Sequence, residues 1–215
     1  MNKLFKFKCS FALVFSMLIC GSAFALSGTN EIGIFMDPDG DVNSASYMAT
    51  PLTPFTAYLL VIDPVNLAYV DGMGTPPYER TMTSVTGFEC QVLKDMPGLF
   101  ILSEIFNGNM INIGGGNEYI VGFADPIPVI NGVVKLITWS FMVTDPNPRE
   151  IYLDIMPDFQ SIPGAMAIVD GSIAVYNLQA CWPTSGSYDA PVFGINAEVV
   201  ATEDESWGSV KALFR

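Results

Sequence analysis

The segment Asn131–Val143 reads NGVVKLITWSFMV, and it predicts the fold class of the chain. The Asn131-Gly132 pair favours a two-residue hairpin turn, because both positions of that turn need positive backbone φ angles. The residues after it are rich in β-branched and aromatic side chains, which favour an extended strand. The segment therefore predicts a hairpin turn that leads into a long strand, Val133–Val143.

Similar short runs lie on both sides of this segment, separated by turns rich in Pro, Gly, Asn and Asp. No stretch between residues 30 and 200 keeps a helical period with capping residues. The predicted strands are Glu31–Met36, Phe55–Asp63, Ser84–Leu93, Gly98–Phe106, Glu118–Phe123, Val133–Val143, Ile151–Ile155, Ala165–Asp170, Ser172–Asn177 and Ile195–Val200. Their number and spacing predict one all-β domain over residues 26–200, an antiparallel β-sandwich with a closed barrel as the alternative.

The N-terminal segment has the features of a signal peptide. Three lysines within the first eight residues precede a short apolar run, and Ala23-Phe24-Ala25 supplies the small residues that signal peptidase accepts. We therefore expect residues 1–25 to be removed and the mature chain to begin at Leu26. Its location is then extracellular, at the cell surface or in the periplasm. Lipidation at Cys20 is disfavoured, because an isoleucine precedes it where a small side chain is needed.

The composition excludes several classes of function. The full chain has a formal net charge of −13, and removal of residues 1–25 leaves six basic residues against 22 acidic ones, a net charge of −16. Such a charge repels nucleic-acid phosphate and anionic lipid, so neither is expected as a partner. The absence of histidine excludes Ser-His-Asp and Cys-His triads and His-ligated zinc. No run of about 20 apolar residues follows the leader, so no transmembrane segment is expected.

Two cysteines, Cys90 and Cys181, remain after removal of the leader. Export favours their oxidation, and a bridge between them would close a loop of about 90 residues, worth about 4–5 kcal/mol in the loop-entropy model. We therefore expect a disulfide between Cys90 and Cys181. The alternative is that both are separate buried thiols.

An acidic turn, Asp37-Pro38-Asp39-Gly40-Asp41, follows the first predicted strand. Carboxylate oxygens so close together can serve as ligands for Ca²⁺ in an exported protein. The turn does not have the spacing of an EF-hand, because its glycine lies at the fourth loop position rather than the sixth. We expect a solvated turn, with a calcium site formed by Asp37, Asp39 and Asp41 as the alternative, and no other cofactor.

Paired carboxylates are the catalytic chemistry that the composition leaves open, since a glycosidase needs two facing acids. The spacing selects no pair among the candidates Glu89, Asp95, Glu104, Glu118, Asp154 and Asp158. The aromatic side chains suggest a second kind of carbohydrate site, a platform of exposed rings that stack on a sugar, although such rings on strands are more often buried. Its candidates are Tyr78, Tyr119, Trp139, Tyr152, Trp182 and Tyr188. Trp182 differs from the others because it lies in a predicted turn.

The C-terminus carries a family resemblance. Residues 201–205 are an acidic linker, and residues 206–215 (SWGSVKALFR) are a tail with helical spacing of its apolar side chains. This Trp-Gly-x-x-Lys-x-Leu-aromatic-Arg ending resembles that of many uncharacterised exported bacterial proteins, which also begin with a strand like Ile32–Asp37. The segment Val85–Glu89 (VTGFE) is similar to a strand of cohesin-type domains. The resemblance implies an exported, cohesin-like or immunoglobulin-like sandwich with a short helical tail, and it carries over neither an activity nor a dockerin-binding motif.

These features predict an exported, non-catalytic binding or structural protein whose partner is a protein or a glycan at the bacterial cell surface. Two alternatives stay open, a carbohydrate-active enzyme that uses two carboxylates and a subunit of a larger surface assembly. An enzyme needs a concave cleft where two acids converge and the pKa of one is raised. An assembly subunit needs an exposed apolar patch or a long unpaired edge strand.

Overall fold

Strands account for every regular element in the part of the chain that the structure describes, so the all-β prediction is confirmed. The computed structural model describes residues 28–41, 44–69, 78–145, 151–156, 161–172 and 178–197. The strands are β1 (Glu31–Phe35), β2 (Ser46–Tyr47), β3 (Pro54–Ile62), β4 (Val65–Tyr69), β5 (Tyr78–Thr81), β6 (Ser84–Leu93), β7 (Leu99–Phe106), β8 (Met110–Asn112), β9 (Glu118–Pro128), β10 (Val133–Val143), β11 (Ile151–Met156), β12 (Met166–Asp170), β13 (Leu178–Pro183) and β14 (Phe193–Ile195). The predicted leader, linker and C-terminal tail lie outside the described residues.

Twelve strands form one mixed sheet that curls until it is nearly closed. Its front half has the order β13-β1-β3-β10-β7, and its back half has the order β12-β6-β9-β8. The antiparallel β12–β13 ladder joins the two halves, so they form one continuous sheet rather than two separate ones. The β1–β13 and β14–β2 pairs are parallel, which differs from the predicted purely antiparallel arrangement.

On the side opposite the β12–β13 ladder, the front half ends at β7 and the back half at β8. We call the gap between these two edges the seam.

The inward-facing side chains of both halves share one hydrophobic core. Buried and less buried residues alternate along β10, as the period-two geometry of a strand requires. Aromatic rings form a row through this core, with centroid separations of 5.7 Å for Trp139–Phe141 in the front half, 6.1 Å for Phe88–Tyr119 in the back half and 6.4 Å for Tyr119–Trp139 between the halves. Each fully buried large side chain contributes about 1.5–3 kcal/mol, so this aromatic row holds the halves together.

The predicted turn at Asn131-Gly132 is confirmed. Their φ angles are 52° and 81°, and Ile130 and Val133 exchange two backbone hydrogen bonds of 2.9 Å across it. The strands on either side of the turn then separate, because β9 pairs with β6 and β8 whereas β10 pairs with β3 and β7. The turn therefore carries the chain from the back half to the front half.

A buried polar cluster fixes the separate β4–β5 hairpin on the main sheet. The Asn66 side-chain amide donates to the Asp170 carboxylate at 2.9 Å, and the Gln179 amide donates to Asn66 at 3.2 Å. The Gln179 side-chain oxygen in turn accepts the backbone N–H of Leu67 at 2.9 Å. Because burial of unpaired amides is costly, this cluster holds β4 in one position against β12 and β13.

The predicted disulfide between Cys90 and Cys181 is not seen in the structure, where both side chains are buried. The physical reason is the strand order. Cys90 lies on β6 and Cys181 on β13, with Met166 of β12 between them in the register. Two strand spacings amount to about 9.5 Å, whereas a disulfide needs a Cα separation of roughly 4.4–6.8 Å. Burial, and secondarily the neighbouring Cys90, raises the pKa of the Cys181 thiol well above its usual value.

The thiol arrangement leads to a first prediction. Neither cysteine should react with a thiol reagent in the native protein, and both should react after unfolding, because both side chains are fully buried. Cys181→Ser should lower the free energy of unfolding by about 1–3 kcal/mol more than Cys181→Ala, since it places a hydroxyl in an apolar core. Thiol titration and urea denaturation measure these effects. A Cys90–Cys181 cross-link in non-reducing peptide maps would contradict the strand order.

Candidate functional site

Strand β7 is the long edge of the sheet at the seam. Seven of its eight residues pair with β10, and among the described residues nothing pairs with its other edge. Three large apolar side chains on it are exposed to solvent, Phe100 (58%), Leu102 (48%) and Ile105 (61%). The register against β10 shifts at Leu102, which forms a bulge. Glu104 carries the only charge on the strand.

Glu104 lies at the centre of a polar cluster that spans the seam. Its carboxylate accepts a hydrogen bond from the Trp139 indole N–H at 2.7 Å within the front half. The same oxygen accepts the Tyr119 hydroxyl of the back half at 2.5 Å. The Lys94 ammonium lies 3.5 Å from this oxygen and donates to the Tyr119 oxygen at 2.5 Å and to the Gly116 carbonyl at 2.9 Å. We call Lys94, Glu104, Tyr119 and Trp139 the clasp.

The clasp is a structural arrangement rather than a proton-transfer site. Burial, together with the hydrogen bond to the Glu104 carboxylate, raises the pKa of Tyr119 far above its usual value. The phenol is therefore a permanent donor at any physiological pH. The Lys94 ammonium also lies 4.6 Å from the centre of the Tyr119 ring, where a cation–π contact adds to the ion pair. Every member of the clasp thus has a partner on another strand or loop.

Beside β7, the outer side chains of β3 and β10 complete a surface without charge. The register aligns them in three rows across the strands, Pro54–Met142–Phe100, Thr56–Ser140–Ser103 and Tyr58–Thr138–Ile105. We call this surface the neutral face. Lys135 lies next to it, with its ammonium 5.7 Å from the centre of the Tyr58 ring. None of these nine neighbouring positions carries a carboxylate or an amine, although the chain has 22 acidic residues.

The three carboxylates predicted as a possible calcium site, Asp37, Asp39 and Asp41, belong to a tight turn. The Asp37 carboxylate accepts the Asp39 backbone N–H at 2.7 Å, and the Asp41 carbonyl accepts the Ser44 hydroxyl. Within the described residues, no three acidic or thiol groups come close enough to share a metal ion. Calcium binding at this turn stays a prediction.

The carboxylates considered as catalytic candidates are mostly engaged separately. Glu89 is buried, and it accepts hydrogen bonds from the hydroxyl and the backbone N–H of Ser161. Asp95 accepts the Asn117 side-chain amide at 2.9 Å, and Glu104 belongs to the clasp. Glu118 is exposed. Asp158 and the side chain of Asp154 lie outside the described residues.

Glu31 is a titratable residue that the sequence analysis missed. It is 7% exposed at the start of β1, and its Oε2 has no hydrogen-bond partner. Burial, and to a smaller extent the nearby Asp63, raises its pKa to about 7, against an opposing hydrogen bond from the Gly28 backbone. All five residues of β1 are buried, so both faces of this strand are covered. A strand of five residues is too short for its sequence pattern to reveal this.

The aromatic candidates separate into two groups. Tyr119 and Trp139 are buried in the core, as expected for rings on strands. Trp182 is 52% exposed and lies against Tyr188 with a centroid separation of 5.8 Å, but it belongs to β13 and not to the predicted turn. The side chains of Tyr78 and Tyr152 lie outside the described residues.

A shallow cleft of about 430 Å³ opens near the end of the seam. Its charged lining residues are Asp39 and Lys135, and the remainder of its described lining consists of Pro38, Asn107, Ile127, Pro128, Ile130 and Val133. One carboxylate opposite one ammonium is not the pair of acids that glycoside hydrolysis requires.

Comparisons of the chain with family models, with curated proteins and with solved structures found no match.

The clasp generates a second prediction. Glu104→Leu should lower the free energy of unfolding by about 2–4 kcal/mol, because it leaves the Tyr119 hydroxyl, the Trp139 N–H and the buried Lys94 ammonium without an anion. Adding Lys94→Met should recover part of that loss, since no unpaired charge then remains. Urea denaturation of the two single variants and the double variant measures the coupling. A loss within about 0.5 kcal/mol for Glu104→Leu would mean that the clasp is an ordinary surface ion pair.

Glu31 generates a third prediction. Its pKa is about 7 in the folded protein against 4.5 in the unfolded chain, so the folded state holds a proton that the unfolded state has lost between those values. The free energy of unfolding should therefore fall as the pH rises from 4.5 to 7. In Glu31→Gln this decline should be smaller by about 1–3 kcal/mol. Above pH 7 the variant should therefore be more stable than the wild-type protein.

The matched control for this pH profile is Glu118→Gln, because Glu118 is exposed. Thermal unfolding across the pH range should give parallel profiles for the wild-type protein and for this control. A wild-type slope that persists in Glu31→Gln would assign the pH dependence to another group.

Proposed function

We propose that the protein is an exported, non-catalytic subunit of an extracellular assembly, and that it binds another protein through the neutral face. The observation that carries this proposal is the juxtaposition of that face with the unpaired edge of β7. Of the two alternatives to a simple binding protein, the assembly subunit is the one that requires a long free edge strand and exposed apolar side chains.

The charge distribution supports a protein partner. The core of a protein–protein interface is depleted of charged residues and enriched in aromatic side chains and methionine. The neutral face includes Phe100, Tyr58 and Met142 and has no ionised group among its nine positions. An uncharged surface that presents aromatic and methionine side chains is of the kind found at the core of such interfaces, so it supports a binding role.

The site geometry gives less support to the carbohydrate-active enzyme. The cleft near the seam has Asp39 as its carboxylate and lacks a facing acid among its described lining residues. The carboxyl group with the raised pKa, Glu31, lies on β1, and the clasp uses Glu104 to hold strands together. A non-catalytic role accounts for these placements without an additional assumption.

The proposal includes the finer points that the sequence resemblance suggests. A cohesin-like or immunoglobulin-like sandwich agrees with two halves that pack on one core. Export agrees with the predicted signal peptide, and none of the described residues forms a helix long and apolar enough to cross a membrane. The partner then lies at the cell surface or outside the cell.

Site-specific photo-cross-linking in the bacterium that exports the protein tests this function. A photoreactive amino acid at Thr56, on the neutral face, should form a covalent adduct with a protein. The same amino acid at Ile111, which is exposed on β8 of the back half, should form none. Phe100→Glu should abolish the Thr56 adduct because it places a charge on the neutral face. Absence of a protein adduct at Thr56, or equal adducts at both positions, would refute the proposal.

A further inference from the structure

We infer that the partner of strand β7 is a second copy of this chain, and that the two β7 strands pair antiparallel about a two-fold axis between Leu102 and Ser103. This inference rests on the proposed function and names the partner. It predicts a closed dimer in which the sheet continues from one copy into the other.

The register of β7 with itself supports this pairing. Outward-facing Phe100 would lie opposite Ile105 of the second copy, and inward-facing Ile101 would lie opposite Glu104 of the second copy. In a regular strand, residues five positions apart point to opposite faces. The bulge at Leu102 adds one residue, so Phe100 and Ile105 point to the same face. The pairs Leu99–Phe106, Phe100–Ile105 and Ile101–Glu104 therefore match in face on the two sides of the axis.

The side chains in each cross-strand pair are also compatible with the two-fold axis. Phe100 and Ile105 are the most exposed apolar residues of β7, and cross-strand pairing of an aromatic with a β-branched side chain is favourable. Each copy contributes both members, so the two outer pairs are identical. The isologous arrangement uses both free β7 edges, and association then stops at two copies.

The charge of the molecule favours a second copy at this place. Two chains with a formal net charge of −13 repel each other over most of their surfaces. Along the paired β7 edges no carboxylate lies opposite another, because Glu104 of each copy lies opposite Ile101 of the other and stays hydrogen-bonded to Trp139 and Tyr119. A basic partner would find no carboxylate on this face to contact.

A bulge and an inward-pointing charge are also features that protect an edge strand against uncontrolled pairing. Protection accounts for Leu102 and Glu104, but it does not account for the exposed Phe100 and Ile105 on the same strand. Protective edges carry lysine or proline at such positions. The combination of a matched register with apolar outer positions is what self-pairing requires.

Disulfide trapping of the purified mature protein tests the register. The double variant Phe100→Cys/Ile105→Cys should form a covalent dimer under mild oxidation, with two inter-chain bridges between positions 100 and 105. Within one strand these positions are about 16 Å apart, so they cannot bridge inside a single chain. For the same reason the single variants should not form covalent dimers, and neither should the wild-type protein, whose two cysteines are buried.

Analytical ultracentrifugation of the full mature chain tests the association itself. The wild-type protein should dimerise, and its affinity should rise with ionic strength because salt screens the repulsion between two acidic copies. Phe100→Glu should raise the dissociation constant at least about tenfold, or 1.4 kcal/mol. Ile111→Glu, a charge placed at an equally exposed isoleucine of β8, should leave it unchanged.

Three results would overturn the inference: a monomer at every concentration and salt, a dimer insensitive to Phe100→Glu, or oxidation of the double variant to open-ended oligomers. The first result combined with a heterologous adduct at Thr56 would refute self-pairing and keep the proposed function. Loss of the Thr56 adduct together with a monomeric protein would refute both.

Discussion

The hydrogen bonds of the Glu104 carboxylate hold the nearly closed sheet together at its open side. One oxygen accepts the Trp139 N–H of the front half and the Tyr119 hydroxyl of the back half, with the Lys94 ammonium 3.5 Å away. On the opposite side the halves are joined by the backbone ladder between β12 and β13. At the seam there is no such ladder among the described strands, and side-chain contacts replace it. The position of β7 therefore depends on this cluster as well as on its pairing with β10.

The same interaction determines the character of the outer surface. Because the one charge of β7 points inward, the outer row of the strand consists of Phe100, Ser103 and Ile105. The neighbouring β10 and β3 contribute further uncharged side chains. A local requirement for closure of the sheet thus leaves a neutral face on an acidic protein, and the free edge of β7 borders that face. The inward position of the Glu104 carboxylate therefore serves both the closure of the sheet and the proposed binding surface.

Local patterns predicted most of the long strands but not their partners. The strands β2, β4, β5 and β8 were missed, and β13 lies where a turn was predicted around Trp182. The Asn131-Gly132 turn and the strand after it follow from residue preferences, yet β9 and β10 separate after the turn because their partners are distant in sequence. The insertion of β12 between Cys90 and Cys181 is equally non-local, which is why the structure does not show the predicted disulfide. The clasp could not be predicted, since it combines residues of four segments. The exposure of Trp182 does not come from the predicted turn, since the residue lies in β13 with its side chain at the surface.

Hydrogen exchange at the backbone amides of residues 99–106 tests most directly whether β7 is a fixed strand with a free outer edge. In dilute protein, amides that bond to β10 should exchange slowly, whereas those at the outer edge should exchange quickly. At high protein concentration the fast amides should become protected, while those of the short edge β8 should not change. Uniform fast exchange along β7 would mean that the clasp does not hold the strand. Slow exchange of all eight residues in dilute protein would mean that its edge is already covered within one chain.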